Sequence, residues 1–213
     1  MIAELAALGA SAVCDADKTL PVIDPAIRPL VGGAFAGPAL TVETVDDPVP
    51  ILIALEQAAP GDVLVVAAAG GRRAILGELF TSEARRRGVA AIVVDGLVRD
   101  LAGLRALGLP VHARGTHPAT GTLVGGPAHG RPVVCGGVIV RPGDVVVGDD
   151  DGAVVVPPDR VEAVAARAGE IVAVERSVLA AIARGESLQG MTNLAEHVAA
   201  LERGESSRLT MRG

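Results

Sequence analysis

The stretch that decides the fold is GGRRAILGELFTSEARRRGVAAIVVDGLVRD, residues 70–100. Its pattern predicts a glycine-rich turn, a helix over about Leu76–Arg87 and an apolar strand over Ala90–Val94. An Asp95-Gly96 turn is predicted after the strand, and the pair Arg99-Asp100 follows it. Active sites of α/β proteins usually lie at such strand ends. We therefore expect a functional site at this end of the strand.

The segments on either side continue the alternation of strands and helices. Strands are predicted over Ala39–Val45, Val63–Ala68 and Pro110–Ala113. Helices are predicted between them, over Pro48–Ala59 with Asp47 as its cap and over Asp100–Leu107. This β-α-β-α-β order predicts parallel strands joined by crossover helices.

The second half of the chain has a different pattern, with short valine-rich runs separated by glycines. Thr116–Arg131 is predicted to be a loop. Strands are predicted over Pro132–Val140, Asp144–Gly148 and Ala153–Val156. The acidic run Asp149–Gly152 lacks the spacing of a calcium loop, so a hairpin turn is the better interpretation. This half of the sheet is therefore expected to be partly antiparallel.

The remaining segments complete the predicted organisation. Helical patterns cover Ile2–Leu8, Ser11–Asp17 and Pro158–Arg184, whereas the Pro- and Gly-rich stretch Asp24–Gly37 is typical of a loop. Met191–Gly213 is predicted to be a short helix followed by a tail. We expect one α/β domain over residues 1–190 and a C-terminal helical arm or tail over residues 191–213.

Charge and hydropathy exclude several classes of function. The net charge is −6, and no basic patch is interleaved with aromatic residues. The usual electrostatic and stacking routes to nucleic acid are therefore not expected. No apolar run is long enough to cross a bilayer, and the N-terminal segment lacks the basic region of a secretory signal. The cytoplasm is the expected location.

The cysteines and histidines do not form a recognisable metal motif. Cys14 and Cys135 lack CxxC spacing, and both are predicted to be small buried residues. His112, His117 and His129 lie in loop-rich sequence without HExxH spacing. Each histidine is therefore predicted to be an isolated polar residue rather than a zinc ligand.

Two features of the central stretch carry candidate chemistry. The Gly70–Leu79 segment leads into a helix whose first amides can receive a carboxylate or phosphate, although an ordinary strand-to-helix loop explains it as well. A carboxylate beside a guanidinium, as in Arg99-Asp100, stays ionised at neutral pH, as a Mg²⁺ ligand must. The alternative is that Asp100 only caps the helix after it and Arg99 faces solvent.

Taken together, these motifs resemble the RraA-like family, which includes class II 4-hydroxy-4-methyl-2-oxoglutarate/4-carboxy-4-hydroxy-2-oxoadipate aldolases. The resemblance extends from about Ser11 to Glu186. Its most specific part is VVDGLVRD at Val93–Asp100 combined with PGDVVVGDDDG at Pro142–Gly152. Further matching pieces are SAVCDAD, GPALTV, PGDVLVV, LPVHARGTHP and VERSVLAAIARGES.

The resemblance implies a fold, an assembly and a site. The fold would be a single α-β-β-α sandwich with mixed sheets, assembled as a trimer or hexamer with sites between subunits. Asp100 would anchor Mg²⁺ or Mn²⁺, and Arg99 would contact the keto oxygen of a bound pyruvyl group. Glu175, or Glu170 in another register, would enter the site from the neighbouring subunit's C-terminal helix. The loop whose amides hold the substrate carboxylate matches Gly77, Glu78, Leu79 and Phe80.

The resemblance also implies an activity, with one alternative. A metal-dependent pyruvate aldolase would cleave 4-hydroxy-2-oxo acids through Arg99, Asp100 and Glu175, and would decarboxylate oxaloacetate. Lys18 is the only lysine and lies in a polar stretch, so Schiff-base catalysis is not expected. The alternative is a non-catalytic regulator, because the family also contains an inhibitor of ribonuclease E. The chain departs from the aldolase pattern at Asp46-Asp47-Pro48 and at His112. These differences affect what the resemblance implies for the distal substrate pocket more than what it implies for the metal centre.

Overall fold

A computed structural model describes residues 1–211 of the chain. The helices are α1 (Ile2–Leu8), α2 (Ala10–Ala16), α3 (Val49–Leu55), α4 (Glu78–Arg86), α5 (Leu101–Leu107), α6 (Val161–Ala183) and α7 (Leu194–Glu202), with 3-10 turns at Pro158–Arg160 and Gln189–Met191. The strands are β1 (Arg28–Val31), β2 (Phe35–Glu43), β3 (Val63–Ala67), β4 (Ala74–Leu76), β5 (Ala91–Val98), β6 (Val111–Thr116), β7 (Val133–Cys135), β8 (Val138–Val140), β9 (Val145–Asp149) and β10 (Gly152–Val156). Within this range, no helix has both the length and the apolar character needed to cross a membrane.

The chain divides into two compact units, residues 1–168 and the residues from 169 onward. The domain boundary that the sequence places after residue 190 stays a prediction. The first unit contains the sheet and the candidate site, and the second contains the end of α6 together with α7.

A mixed sheet runs through the first unit in the order β1-β6-β5-β3-β2-β9-β10, with β4 paired to β5. The pairs β2–β3, β3–β5, β4–β5 and β5–β6 are parallel. The pairs β1–β6, β2–β9 and β9–β10 are antiparallel, and β7 and β8 form a separate antiparallel hairpin. The predicted parallel crossover units, the antiparallel second half and the mixed α/β fold class are confirmed.

The central strands β3 and β5 bury both of their faces, which explains their continuous apolar sequence. Successive side chains of a strand point to opposite faces. The set that packs with α3, α4 and α5 is Leu64, Val66, Ile92 and Val94. The set that packs with the β7–β8 hairpin is Val63, Val65, Ala91 and Val93. The helices and the hairpin thus cover opposite faces, and the ends of the strands are left for the site.

Two local predictions were wrong because tertiary pairing overrides composition. Asp24–Gly37 is not a loop, since it contains β1 and the start of β2. β1 is an edge strand, and an edge tolerates the missing amide of Pro29. The helix predicted from Leu76 begins at Glu78, because the residues just before it form β4 and pair with β5.

The prediction of a turn at Asp95-Gly96 was also wrong, because both residues lie within β5. The Asp95 side chain is only 3% exposed. One of its carboxylate oxygens accepts the Gly136 amide at 2.7 Å, and the other accepts the Arg114 guanidinium. Arg114 also donates to Asp24 at 3.2 Å. An ion pair with a buried carboxylate therefore ties β5 and β6 to the β7–β8 turn.

The cysteines are free thiols in different surroundings. Cys135 is fully buried, as predicted, and this burial raises the pKa of its thiol to about 12. Such a thiol remains protonated and unreactive at neutral pH. Cys14 is only partly buried, so the prediction of burial holds for one cysteine of the two.

His112 lies in β6 and not in loop sequence, and it is fully buried. Its ring packs edge-on against Phe35, with ring centroids 5.2 Å apart. Within the described residues, neither ring nitrogen has a hydrogen-bond partner. Burial lowers the pKa of His112 below its usual 6.5, against smaller opposing effects of Asp149 and Asp150.

We expect His112 to make the protein less stable in mild acid. Its pKa is lower in the folded state, so below about pH 6.5 the unfolded chain binds a proton that the folded chain does not. The free energy of unfolding should therefore fall as the pH drops through 6.5. His112→Phe keeps an aromatic ring edge-on against Phe35. It should remove the part of the fall in the free energy of unfolding that is due to His112. Urea unfolding at pH 7.5 and 5.5 measures it, and equal losses in the wild type and the variant would contradict the assignment.

Candidate functional site

A pocket opens where the ends of β4 and β5 meet. Arg99 and Asp100 directly follow β5, and the Arg99 amide donates to the carbonyl of Leu76, the last residue of β4, at 2.9 Å. The cavity has a volume of about 210 Å³. Its lining residues are Pro48, Ile75, Leu76, Gly77, Leu79, Phe80, Arg99, Asp100, Thr120 and Leu123. The fold thus brings most of the predicted site residues together at the carboxyl ends of parallel strands, where α/β proteins bind ligands.

Asp100 has a left-handed backbone conformation, which is uncommon in residues other than glycine. Its φ of 60° lies in the left-handed region, and its carbonyl accepts the Leu104 amide at 3.0 Å to begin α5. Among residues 1–211, the one other non-glycine residue with positive φ is Asp46, two residues before the pocket residue Pro48. Such conformations cost about 1–3 kcal/mol each and cluster at functional sites.

The Asp100 carboxylate turns toward α4 instead of capping its own helix. Its Oδ2 accepts the Glu78 amide at 3.2 Å and lies 3.5 Å from Nε of Arg99. No side chain caps α5, so the alternative in which Asp100 only caps that helix is not observed. The side chains of Arg99 and Asp100 remain 37% and 42% exposed. A ligand in the pocket can therefore reach both charged groups.

Gly77 is required sterically between β4 and α4. A Cβ at this position would lie 2.5 Å from Oδ2 of Asp100 and 2.9 Å from Cγ of Arg99. Its backbone is extended, with φ −150°, so the requirement concerns space and not conformation. Any larger residue would displace the Arg-Asp pair.

The first turn of α4 presents backbone amides beside this pair. The amides of Glu78, Leu79 and Phe80 belong to the turn whose N–H groups have no partner inside the helix. Glu78 donates to Asp100, which leaves the amides of Leu79 and Phe80 to face a ligand. The partial positive charge of a helix N-terminus favours an anion there. This arrangement can bind the carboxylate of a small acid next to Arg99.

The donor atoms of the pocket suit Mg²⁺ or Mn²⁺ better than zinc. Within the part of the chain that the structure describes, no group of three or more His, Cys, Asp and Glu side chains could by itself hold a metal. The carboxylate of Glu78 lies over Gly103 in the first turn of α5, and Glu78 is not among the residues that line the pocket. Mg²⁺ usually takes one or two carboxylates and completes its shell with water and substrate oxygens. The partly exposed carboxylate of Asp100 fits that requirement as a single protein ligand.

Asp47 fixes the loop that closes the pocket on its other side. Its carboxylate accepts the amides of Val49, Val124 and Gly125 at 2.9, 2.9 and 3.0 Å, and the hydroxyl of Thr122 at 2.8 Å. Burial alone would raise the pKa of Asp47, but these four hydrogen bonds outweigh it and lower the pKa below 3.8. The sequence predicted Asp47 as the cap of a helix from Pro48, whereas α3 begins at Val49 with Pro48 as its cap residue and Asp47 accepts the Val49 amide. The bonds to the loop join residues far apart in the sequence and leave no local signal.

Glu175 and Glu170 lie on α6, in the second unit, and both are exposed. Their contribution to a neighbouring subunit's site in a trimer or hexamer stays a prediction. The catalytic and binding functions of Arg99, Asp100 and the α4 amides, and the presence of a metal ion, also stay predictions.

Comparison with known proteins gives the chain a family. The RraA-like profile, described as Aldolase/RraA, matches residues 10–155. Two curated relatives carry the name "Putative 4-hydroxy-4-methyl-2-oxoglutarate aldolase". The relative from Halalkalibacterium halodurans is 37% identical over 170 residues, which cover 78% of this chain and 81% of that protein. The relative from Burkholderia multivorans is 42% identical over 151 residues, which cover 67% of this chain and 92% of that protein.

A solved structure shows the same fold. It is Streptomyces coelicolor RraAS2, called an unusual member of the RNase ES inhibitor RraA protein family, with a TM-score of 0.71 and 32% identity. The alignment covers 82% of this chain and 93% of RraAS2. The profile match spans more than half of the chain, and the curated relatives exceed one third identity. This protein therefore belongs to the RraA-like (Aldolase/RraA) family, as its sequence motifs predicted.

Proposed function

We propose that this protein is a metal-dependent lyase that cleaves a 4-hydroxy-2-oxo acid and releases pyruvate. The observation that carries the proposal is the pocket in which Arg99 and Asp100 meet the first-turn amides of α4. The names of the two curated relatives support the choice of substrate. Decarboxylation of oxaloacetate is part of the proposal, because that reaction also passes through the enolate of pyruvate.

The chain's own groups would bind and orient the 2-oxo acid. The amides of Leu79 and Phe80 would donate hydrogen bonds to the C1 carboxylate, and the Arg99 guanidinium would then lie beside the C2 keto oxygen. Asp100 would hold Mg²⁺ or Mn²⁺, which would supply Lewis-acid stabilisation of negative charge on the keto oxygen. Leu76 and Phe80 line the pocket beside these charges with apolar side chains.

In the proposed reaction, the electron pair of the C3–C4 bond is delocalised toward the C2 keto oxygen, which lies beside Arg99. The C4 hydroxyl gives its proton to water and becomes a carbonyl as the C3–C4 bond breaks. The bonding pair forms the C2–C3 double bond of the enolate, and negative charge accumulates on the keto oxygen. Arg99 stabilises that charge, and one such preorganised donor is typically worth about 10²–10³-fold in rate. A proton added at C3 then gives pyruvate.

Oxaloacetate gives the simplest test, since loss of CO₂ needs the same charge stabilisation but no base at C4. We expect pyruvate release in Mg²⁺ or Mn²⁺ that exceeds the rate with the same metal alone and disappears after EDTA. A lactate dehydrogenase-coupled assay measures it. 4-Hydroxy-4-methyl-2-oxoglutarate should also yield pyruvate. If neither substrate reacts faster than the metal-only control, the proposed function is wrong.

A second candidate function is that of a non-catalytic regulator. Similarity to RraAS2 favours it, and the net charge of −6 would suit a basic partner. Such a regulator would inhibit a ribonuclease E-type enzyme at stoichiometric concentration and release no pyruvate. An RNA-cleavage assay with the purified nuclease, run beside the pyruvate assay, distinguishes the two functions.

A further inference from the structure

Asp46 is bonded to two segments that are distant from each other in the sequence. One oxygen of its carboxylate, Oδ1, accepts the amides of Arg72 and Arg73, both at 2.8 Å. These two residues form the turn that leads into β4. The carbonyl oxygen of Asp46 accepts the amide of Thr122 at 2.7 Å. One residue thus holds both segments, with its side chain on one and its main chain on the other.

The two segments form one wall of the candidate pocket. Residues 119–125, which we call the pocket loop, contribute Thr120 and Leu123 to the lining. The turn leads into β4, which contributes Ile75 and Leu76. The first residue of β4 also donates its amide to the first carbonyl of the pocket loop at 3.0 Å. The position of this wall therefore depends on the bonds that Asp46 makes.

Asp46 keeps a strained backbone while it makes these bonds. Its φ of 52° lies in the left-handed region, which costs a residue other than glycine about 1–3 kcal/mol. Aspartate and asparagine tolerate this region better than most residues with a side chain. The three hydrogen bonds offset the cost. Asparagine is the conservative replacement, because its side-chain oxygen can accept both amides of the turn.

The pocket loop approaches Asp46 so closely that only glycine fits at position 121. A Cβ on Gly121 would lie 1.7 Å from the carbonyl oxygen of Asp46. Gly121 is not among the glycines with a left-handed backbone, so the requirement concerns space and not conformation. On the side of the turn, a Cβ on Gly71 would lie 3.0 Å from Oδ1 of Asp46. Both segments therefore pack directly against this residue.

The charged end of the pocket is held by other contacts. Arg99 and Asp100 follow β5, and the carboxylate of Asp100 accepts an amide of α4. Among residues 1–211, the side chain and the carbonyl of Asp46 bond to the turn and the pocket loop and not to this pair. Loss of the Asp46 side chain should therefore move the wall and leave the Arg-Asp pair in place.

We propose that Asp46 is a positioning residue for the lyase reaction, which holds the pocket loop against the part of the substrate beyond its 2-oxo acid group. The inference rests on the proposed function, which places the 2-oxo acid group at Arg99. Because Asp46 does not hold Arg99 or Asp100, the wall contributes to substrate binding and not to the chemical step. A defect of this kind raises KM and leaves kcat unchanged.

Asp46→Gly removes the carboxylate and keeps a residue that adopts a φ of 52° without strain. It should raise KM for 4-hydroxy-4-methyl-2-oxoglutarate about 10-fold, the equivalent of one hydrogen bond to a charged group, and change kcat by less than about twofold. The inhibition constant of pyruvate, which occupies only the 2-oxo acid end, should stay the same. A wild-type KM, or an inhibition constant for pyruvate that rises with KM, overturns the inference.

Three further variants separate position from charge and from general stability. Asp46→Asn should keep the wild-type KM, and a loss equal to that of Asp46→Gly would show that the charge matters and overturn the inference. Gly121→Ala should raise KM although Asp46 is intact, because the new Cβ displaces the pocket loop. Asp62→Gly is the matched control, since Asp62 is also half-buried and accepts one backbone amide but bonds to neither segment. A wild-type KM in Gly121→Ala, or a raised KM in Asp62→Gly, also contradicts the assignment.

Hydrogen exchange distinguishes failure of the inference from failure of the proposed function, because it needs no substrate. Mass spectrometry of the full chain should show faster exchange of residues 72–73 and 119–125 in Asp46→Gly than in the wild type or Asp46→Asn. Unchanged exchange overturns the inference even if the wild type releases pyruvate. Faster exchange in a protein that releases no pyruvate supports the attachment by Asp46 and overturns the proposed function instead.

Discussion

Asp100→Asn should lower kcat/KM for oxaloacetate decarboxylation by at least about 10³-fold, the rate equivalent of the several kcal/mol that a Lewis acid supplies. The amide removes the charge that would anchor the metal ion. Asparagine tolerates the left-handed φ of 60° and can still accept the Glu78 amide, so the fold should be preserved. Steady-state kinetics measures the rate, and calorimetry in the presence of pyruvate measures Mg²⁺ affinity.

Two variants are controls for this result. Asp62→Asn is matched to it, because Asp62 also accepts one backbone amide, that of Ala59 at 2.8 Å, but does not line the pocket. It should behave as the wild type. Arg99→Lys keeps a positive charge without the planar guanidinium, so activity should fall about 10²-fold or more while Mg²⁺ still binds. Wild-type turnover and Mg²⁺ affinity in Asp100→Asn would contradict the assignment of Asp100.

Arg114→Met should destabilise the fold by about 3–5 kcal/mol, because it leaves a buried carboxylate without its partner charge. Asp95 is 3% exposed, and after the change only the Gly136 amide would donate to it. Methionine retains much of the length and apolar surface of the arginine stem, so lost packing contributes little. Urea unfolding at pH 7.5 gives the change in free energy.

A double variant tests whether the buried charge causes the loss. Asp95→Ala combined with Arg114→Met removes both charges, so it should be less destabilised than Arg114→Met alone. Arg86→Met is the surface control, since Arg86 pairs with Glu83 at a side-chain exposure of 67% and should change stability much less. Additive effects of the two changes, or a loss in Arg86→Met equal to that in Arg114→Met, would contradict the interpretation.

Local patterns predicted the elements whose signals lie within a few residues of one another. The apolar run of β3, the helix that ends near Gly88 and the short helix before Gly108 all appear where spacing and turn residues predict them. The placement of Arg99-Asp100 at a strand end was predicted in the same way. Composition predicted the antiparallel hairpins of the second half, because valine-rich runs between glycines are typical of them.

The errors arose where distant residues decide a local conformation. Asp95-Gly96 has the composition of a turn, but the Asp95 carboxylate is satisfied by Arg114 and Gly136, so the strand continues. His112 was interpreted as an isolated polar residue, yet it is buried against Phe35 from another strand. Neither partner can be found by periodicity, since nothing in the neighbouring sequence marks it.

The sequence by itself determined the family, the order of strands and helices, and the candidate residues Arg99 and Asp100, because motifs and periodicity are properties of consecutive residues. Tertiary structure alone decided that the Asp100 carboxylate accepts an amide of α4 and that Asp47 holds the loop beyond Thr120. Each of these contacts joins segments more than twenty residues apart. Their geometry is set by the packing of β4, β5 and the pocket loop, which no local pattern encodes.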